Sequence, residues 1–301
     1  MSPGKPSRRD TLMPPVLRCL RHLSVALLLV ALPASALAAG ATLERIRSTG
    51  TIQLAYRDGA APFSFRDRNG TVRGYSVELC ERAAESIRRL LGLPALKVEW
   101  RAVDAASRID AVARAEVDVE CGTTTISLTR MEKVDFSVPI FVDGGSVLVR
   151  TSAKVTKLSD LVQRRIAVIG GTTTEQALAR QLADAGATAT LVPVKDGQEG
   201  LAQLVAGKVD GYAGDRIVLT GLRQRAAKPE SLAFVDVDFS YEPYALVVRR
   251  DDPDFRLAVN RALVATYKSG EIDAVFQRWF GSLGNPGPLL HAMFYLQQLP
   301  E

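Results

Sequence analysis

The chain has 301 residues, with 38 Lys and Arg against 33 Asp and Glu and only two histidines. Five of the basic residues and one acid fall within the first 38 positions, so residues 39–301 carry a net charge of just +1. That balance excludes the clustered cationic face a nucleic-acid binder needs, and the length exceeds the usual single domain.

The N-terminus reads as a secretory signal. Arg18 and Arg21 precede an apolar run from Leu23 to Leu32, too short to span a bilayer, and Ala36-Leu37-Ala38 offers a small-residue cleavage site before Ala39. Cys19 precedes the apolar run and is badly placed for a lipid anchor. The mature chain is therefore expected to be exported, soluble and periplasmic.

Downstream, strand and helix patterns alternate. Thr51–Tyr56 predicts a short apolar strand. Ser76–Leu91 carries apolar residues at helical spacing and stops at Gly92. Val98–Val103 is a strand, Ala105–Ala115 a short helix and Val117–Cys121 another strand. The alternation resumes with a strand at Arg165–Ile169 and a helix at Thr173–Ala185 ending at Gly186. A strand at Thr190–Val194, a helix at Gln198–Ala206 and a strand at Val209–Ala213 follow. Long extended stretches at Phe136–Val149 and Tyr241–Arg250 separate these blocks. Asp252-Pro253-Asp254 then opens a helix running to about Tyr267, and Glu271–Phe280 forms a second. Two α/β blocks joined by two connectors create a cleft, the kind of place where small ligands bind; a single large α/β domain is the alternative.

Cys80 and Cys121 are the cysteines that survive processing, and in an oxidising compartment an isolated pair most often forms one disulfide. A metal site is not expected, because His291 is the one histidine of the mature chain and two thiols cannot complete a tetrahedral zinc site.

The stretch Cys121–Asp143 is the most informative. Gly122, Thr123, Thr124, Thr125 and then Arg130 supply hydrogen-bond donors and one guanidinium, a ready cradle for a carboxylate. Arg57 follows the first strand at its carboxyl end, where ligands of open α/β sheets gather, and is equally a solvated surface residue; Arg108 lies in the short helix and on its own reads first as an exposed helix residue. Gly170-Gly171-Thr172-Thr173 opens a helix whose unpaired N–H groups suit an anion, or is simply a good cap. Asp215, just after a strand, can accept an ammonium group or act as a turn former. No Gly-x-Ser-x-Gly and no histidine beside a nucleophile point to catalysis, and no cofactor is expected. These residue types hold an amino acid.

At these residues the chain resembles the periplasmic solute-binding proteins of ABC transporters for polar amino acids, and within them the glutamate/aspartate-binding branch. The likeness rests on Gly74-Tyr75-Ser76-Val77-Glu78-Leu79, the Glu120–Arg130 block, Phe136-Ser137 to Phe141, Gly171-Thr172-Thr173, Asp215, Tyr244 to Arg250 and Trp279-Phe280. It implies an α/β type II periplasmic binding protein fold, two lobes joined by two hinge crossings. The signal would occupy 1–38, the first lobe 39–143 and 243–301, and the second lobe 144–242. The resemblance further implies that Arg130, with Thr123, Thr125 and Thr173, holds an α-carboxylate, that Asp215 takes the α-ammonium, and that Arg57 and Arg108 clamp a side-chain carboxylate. Ala105 and Gly197 stand where that branch often has a small hydroxyl residue and a histidine. The function implied is capture of glutamate or aspartate by a monomer that delivers it to inner-membrane permease subunits. A cyclohexadienyl-type dehydratase on the same fold, with Glu199 or Glu242 as general acid, a receptor for another polar amino acid, and a sensor are the alternatives.

Overall fold

The computed structural model describes residues 40–186, 188–236 and 238–300; the signal-peptide reading lies outside them. The first half of the described chain runs α1 (Ala41–Thr49), β1 (Thr51–Arg57), β2 (Phe65–Arg66), β3 (Val72–Arg73), α2 (Tyr75–Leu90), β4 (Lys97–Val103), α3 (Arg108–Ala113), β5 (Val119–Glu120), α4 (Leu128–Met131) and β6 (Val134–Asp143). It continues through β7 (Gly145–Arg150), β8 (Arg165–Ile169), α5 (Thr173–Asp184), β9 (Thr190–Val194), α6 (Gly197–Val205), β10 (Gly211–Asp215), α7 (Arg216–Gln224) and β11 (Leu232–Phe234). The last elements are β12 (Glu242–Arg249), α8 (Pro253–Lys268), α9 (Glu271–Phe280) and α10 (Pro288–Leu296).

Two five-stranded sheets organise these elements, ordered β4-β1-β5-β12-β6 and β11-β7-β10-β8-β9. In the first, β1 runs parallel to β4 and β5, and β12 closes antiparallel against β5 and β6. In the second, β8 is parallel to β9 and β10, while β7 lies antiparallel to β10 and β11. Mixed sheets with helices on their faces are what two α/β lobes look like.

The expected extended stretch Phe136–Val149 is in fact two strands broken at Gly144, one in each sheet. The chain first crosses between lobes there, and it returns between β11 and β12. Ser240 braces the return, accepting a bond from the Gly145 amide at 3.0 Å. The helix expected over Ala105–Ala115 is shorter, Arg108–Ala113, because Asp104 and Ser107 bond to each other and form a turn ahead of it. Helices α1, α4, α7 and α10 have no counterpart in the sequence reading.

Apolar side chains cover both faces of each sheet. The largest cluster packs α2, α8 and α9 on the first sheet through residues such as Leu79, Ile87, Val259 and Phe276. Phe63, Tyr75, Phe141, Tyr244 and Phe280 form one aromatic group in its midst, with ring centroids 4.8–6.2 Å apart. Edge-to-face contacts such as Phe63 on Phe141 add to the burial term. This group fixes the loop after β1, which carries Phe63, against the returning strand β12. Two motifs far apart in sequence meet in the same lobe: Trp279 donates its indole N–H to Glu78 at 2.8 Å, and Arg278 pairs with the same carboxylate. Cys80 of α2 and Cys121, just past β5, form the expected disulfide, with Cα atoms 6.2 Å apart.

Candidate functional site

The carboxyl ends of β1, β8 and β10 and the loop after β5 converge on a cavity of about 300 Å3 between the two sheets. Parallel strands end there without a partner to continue the ladder, so side chains and helix N-termini supply the polar lining. Arg57 is the last residue of β1, Arg108 the first of α3, Thr173 the first of α5 and Asp215 the last of β10. All four line the cavity with Thr123 and Thr125, so the fold brings together six of the seven residues expected to bind. Arg130 is not in the lining. It sits partly buried beneath the Thr loop, where its Nη1 donates to the Thr125 carbonyl at 2.7 Å.

Arg108 is the unusual member. Its side chain is 2% exposed, yet its Nε and Nη1 have no hydrogen-bond partner among the described residues. Burial, then the charge of neighbouring Arg57, push this guanidinium down to about 9, still cationic at neutral pH. Arg57 reaches Thr123 Oγ1 at 2.9 Å through Nη1. Burial likewise lowers Arg130, against the pull of Glu120 and Glu242. Among the described residues, none of the three arginines forms an ion pair with a carboxylate. Buried cations without a direct ion-pair partner are costly, and a carboxylate placed among them relieves that cost.

Asp215 is held from two sides. Thr174 Oγ1 donates to it at 2.6 Å and the Tyr244 hydroxyl at 2.5 Å. Behind it, Asp143 accepts the amides of Gly144 and Ile217 at 2.8 and 3.1 Å, tying the first crossing to the start of α7. Burial, then the charge of Asp215, hold the Asp143 carboxyl well above the usual carboxylate range. Burial foremost also raises the Tyr244 hydroxyl, so between these acids it acts as a donor.

Three features escaped the sequence reading. Glu242, 1% exposed, accepts from Thr125 Oγ1 and Thr173 Oγ1 at 2.6 Å each, so two hydroxyls expected to face a ligand direct their protons elsewhere. Asp58, Asp104, Asp196 and Lys195 also line the cavity, so the site is less one-sidedly cationic than a count of Arg57, Arg108 and Arg130 against Asp215 suggests. The third is a seam of glycines. A Cβ on Gly221 would stand 3.2 Å from the Ala61 carbonyl oxygen, and one on Gly197 2.9 Å from Leu222 Cδ1 and 3.4 Å from the Gly59 carbonyl. The departure at Gly197 thus has a physical reason: Leu222 of α7 packs against this position and leaves a side chain little room, with the Gly59 carbonyl in van der Waals contact beyond it. A helix starting at Gln198, next to Gly197, was visible in sequence; that Gly197 meets the loop after β1 was not.

The match to known proteins covers nearly all of this architecture. The family model for bacterial extracellular solute-binding proteins, family 3, matches residues 52–282. The L-glutamate/L-aspartate-binding protein of Pseudomonas aeruginosa is 35% identical over 240 residues, 79% of this chain and 80% of that protein. The glutamate/aspartate import solute-binding protein of Escherichia coli is 30% identical over 268 residues, 87% of this chain and 89% of that one. Among solved structures, an ancestral amino-acid-binding protein described as a precursor of cyclohexadienyl dehydratase superposes with a TM-score of 0.69. It is 28% identical and covers 79% of this chain and 99% of its own. With two α/β lobes closing on one polar cavity, the chain belongs to the bacterial extracellular solute-binding proteins, family 3.

Proposed function

We propose that this protein is a periplasmic receptor that captures an acidic L-amino acid, glutamate first, between lobes 39–143 plus 243–301 and 144–242, and delivers it to inner-membrane ABC permease subunits. The observation that carries the acidic preference is Arg108, a buried guanidinium with two unpartnered N–H positions beside Arg57 in the cavity wall. A ligand side-chain carboxylate between Arg57 and Arg108 satisfies both, whereas an amide leaves the buried Arg108 and the half-buried Arg57 without that ion-pair partner. Asp215, oriented by Thr174 and Tyr244, takes the α-ammonium. Arg130 stands outside the cavity lining with Nη1 on the Thr125 carbonyl, and its remaining N–H groups are the donors assigned to the α-carboxylate, alongside Thr123 of the lining. The relatives named for glutamate and aspartate support the same reading.

The protein acts by capture and not by catalysis. Glu199 accepts the Lys195 amide at 2.9 Å and Gln203 Nε2 at 3.2 Å at the start of α6, and Glu242 is engaged by hydroxyls, so neither is free to protonate a leaving group. Titration calorimetry with glutamate, aspartate, glutamine and asparagine tests the reading. Binding of the acids with much weaker binding of their amides is expected, and equal affinity for glutamate and glutamine would overturn the acidic clamp.

A further inference from the structure

From the hydroxyls around Glu242 we infer that its carboxylate is an internal tie between the lobes, a positioning residue that biases the protein toward closure before any ligand arrives. The inference rests on the two-lobe receptor reading above. Glu242 opens β12, where the chain returns to the first lobe, and its backbone neighbours are already fastened there. Ile126 N–H bonds to the Pro243 carbonyl at 2.8 Å, Ala245 N–H bonds to the Thr124 carbonyl at 3.1 Å, and Thr125 pairs with Tyr244. The side chain reaches both lobes at once. One oxygen accepts from Thr125 of the first lobe and Thr173 of the second, and the other accepts from Ser240 at 2.6 Å. The two threonine oxygens stand 3.2 Å apart.

A hydroxyl has one proton to give. With the protons of Thr125 and Ser240 directed at Glu242, and that of Thr173 directed at Glu242 with Thr125 Oγ1 as a second, longer acceptor, no threonine proton of this group is left for the cavity. A buried carboxylate accepting three hydroxyl bonds is satisfied only while both lobes supply them. Opening removes Thr173 and leaves a desolvated anion one donor short, a penalty larger than the loss of a neutral bond. The tie therefore acts on the open–closed equilibrium itself, and a ligand that selects the closed form binds more tightly when that form is already populated.

The test is the inter-lobe distance without ligand. Spin labels placed on exposed Arg89 of α2 and exposed Asp184 of α5 report it by pulsed electron–electron resonance in the full mature chain. In the absence of any amino acid, Glu242→Gln, Glu242→Ala and Thr173→Val are expected to shift the distribution toward longer distances, while Thr173→Ser, which keeps the hydroxyl, leaves it unchanged. Glutamate affinity of Glu242→Ala is expected to fall about tenfold. Thr173→Val cuts the same tie from the other lobe and keeps the test valid should a Glu242 variant fail to fold. Ligand-free distributions that coincide for parent, Thr173→Val and whichever Glu242 variant folds would overturn the tie. Because no ligand is present, that outcome leaves the glutamate reading standing, whereas normal closure with no acidic-amino-acid binding defeats the glutamate reading alone.

Discussion

The two lobes contribute differently to the one cavity. The first supplies the guanidinium groups Arg57 and Arg108 to the lining, with Arg130 outside it on the Thr125 carbonyl, on a scaffold braced by the Cys80–Cys121 disulfide, the five-ring aromatic group and the Glu78–Trp279 bond. The second supplies a helix N-terminus at Thr173, the acceptor Asp215 and glycines at the seam, and its two apolar clusters are smaller and include no disulfide. Charge that must stay desolvated and in register belongs on the stiffer body, because an unpaired cation free to move finds water instead of the ligand. The surface that closes needs close fit more than charge, and glycine permits that fit.

Arg108→Met breaks the first half of this contrast most severely. Glutamate affinity should fall by about 2–5 kcal/mol in calorimetry, as for a truncated buried charge pair. The ligand-free melting temperature should rise, because an unpaired buried cation is replaced by an apolar side chain of similar length. A variant that loses affinity and stability together would mean that Arg108 serves the core and not the ligand.

The disulfide comes next. Cys80→Ala with Cys121→Ala opens a loop of about forty residues, and the chain-entropy relation assigns its closure roughly 4 kcal/mol. Denaturant titration should show that loss, with the damage in the first lobe: hydrogen exchange should quicken in α2 and β5 and stay unchanged in α5 and β10. Uniform quickening would refute the view that the first lobe is separately braced.

Gly221→Leu probes the closing face. The added side chain meets the Ala61 carbonyl of the other lobe, so the approach of the lobes around a ligand is hindered and glutamate affinity should drop by about 1–3 kcal/mol, while the ligand-free melting temperature barely moves. An unchanged affinity would show that the seam yields.

The smallest effect concerns Asp143. Its carboxyl is raised in the folded protein, by burial first and by Asp215 second. Below the ordinary carboxylate value of about 4 the group is neutral folded or unfolded and costs nothing; as pH rises above it, the unfolded chain ionises while the folded one resists, and stability falls. Asp143→Asn should therefore raise the melting temperature at neutral pH by an amount worth about 1 kcal/mol and lose that advantage below pH of about 4. A gain independent of pH would exclude ionisation as the cause.

Much of this was legible in the residues. Strands β1, β8 and β9 appear as apolar runs, α2 and α5 as helical spacing ended by glycine, and Arg57 and Asp215 stand at strand ends because ligand sites gather there. The disulfide was expected from an isolated cysteine pair on the reading that the chain is exported. Helix α7 was missed although Leu219 and Leu222 are buried: its start follows β10 directly, with Asp215 as both strand end and cap, so no linker residue separates the periods.

What a single sequence determines is local: period, caps, turns and the chemistry each side chain can offer. Whether Arg108 is a solvated helix residue or a buried cation depends on what packs above α3, and its own neighbours in sequence leave both open. Glu242 meets Thr125 across 117 residues and Thr173 across 69, and Gly197 and Gly221 meet the loop after β1 from the other lobe. Those pairings come from the two sheets facing each other, and hydrogen bonding and close packing act over a few ångströms, so only the folded chain could decide them.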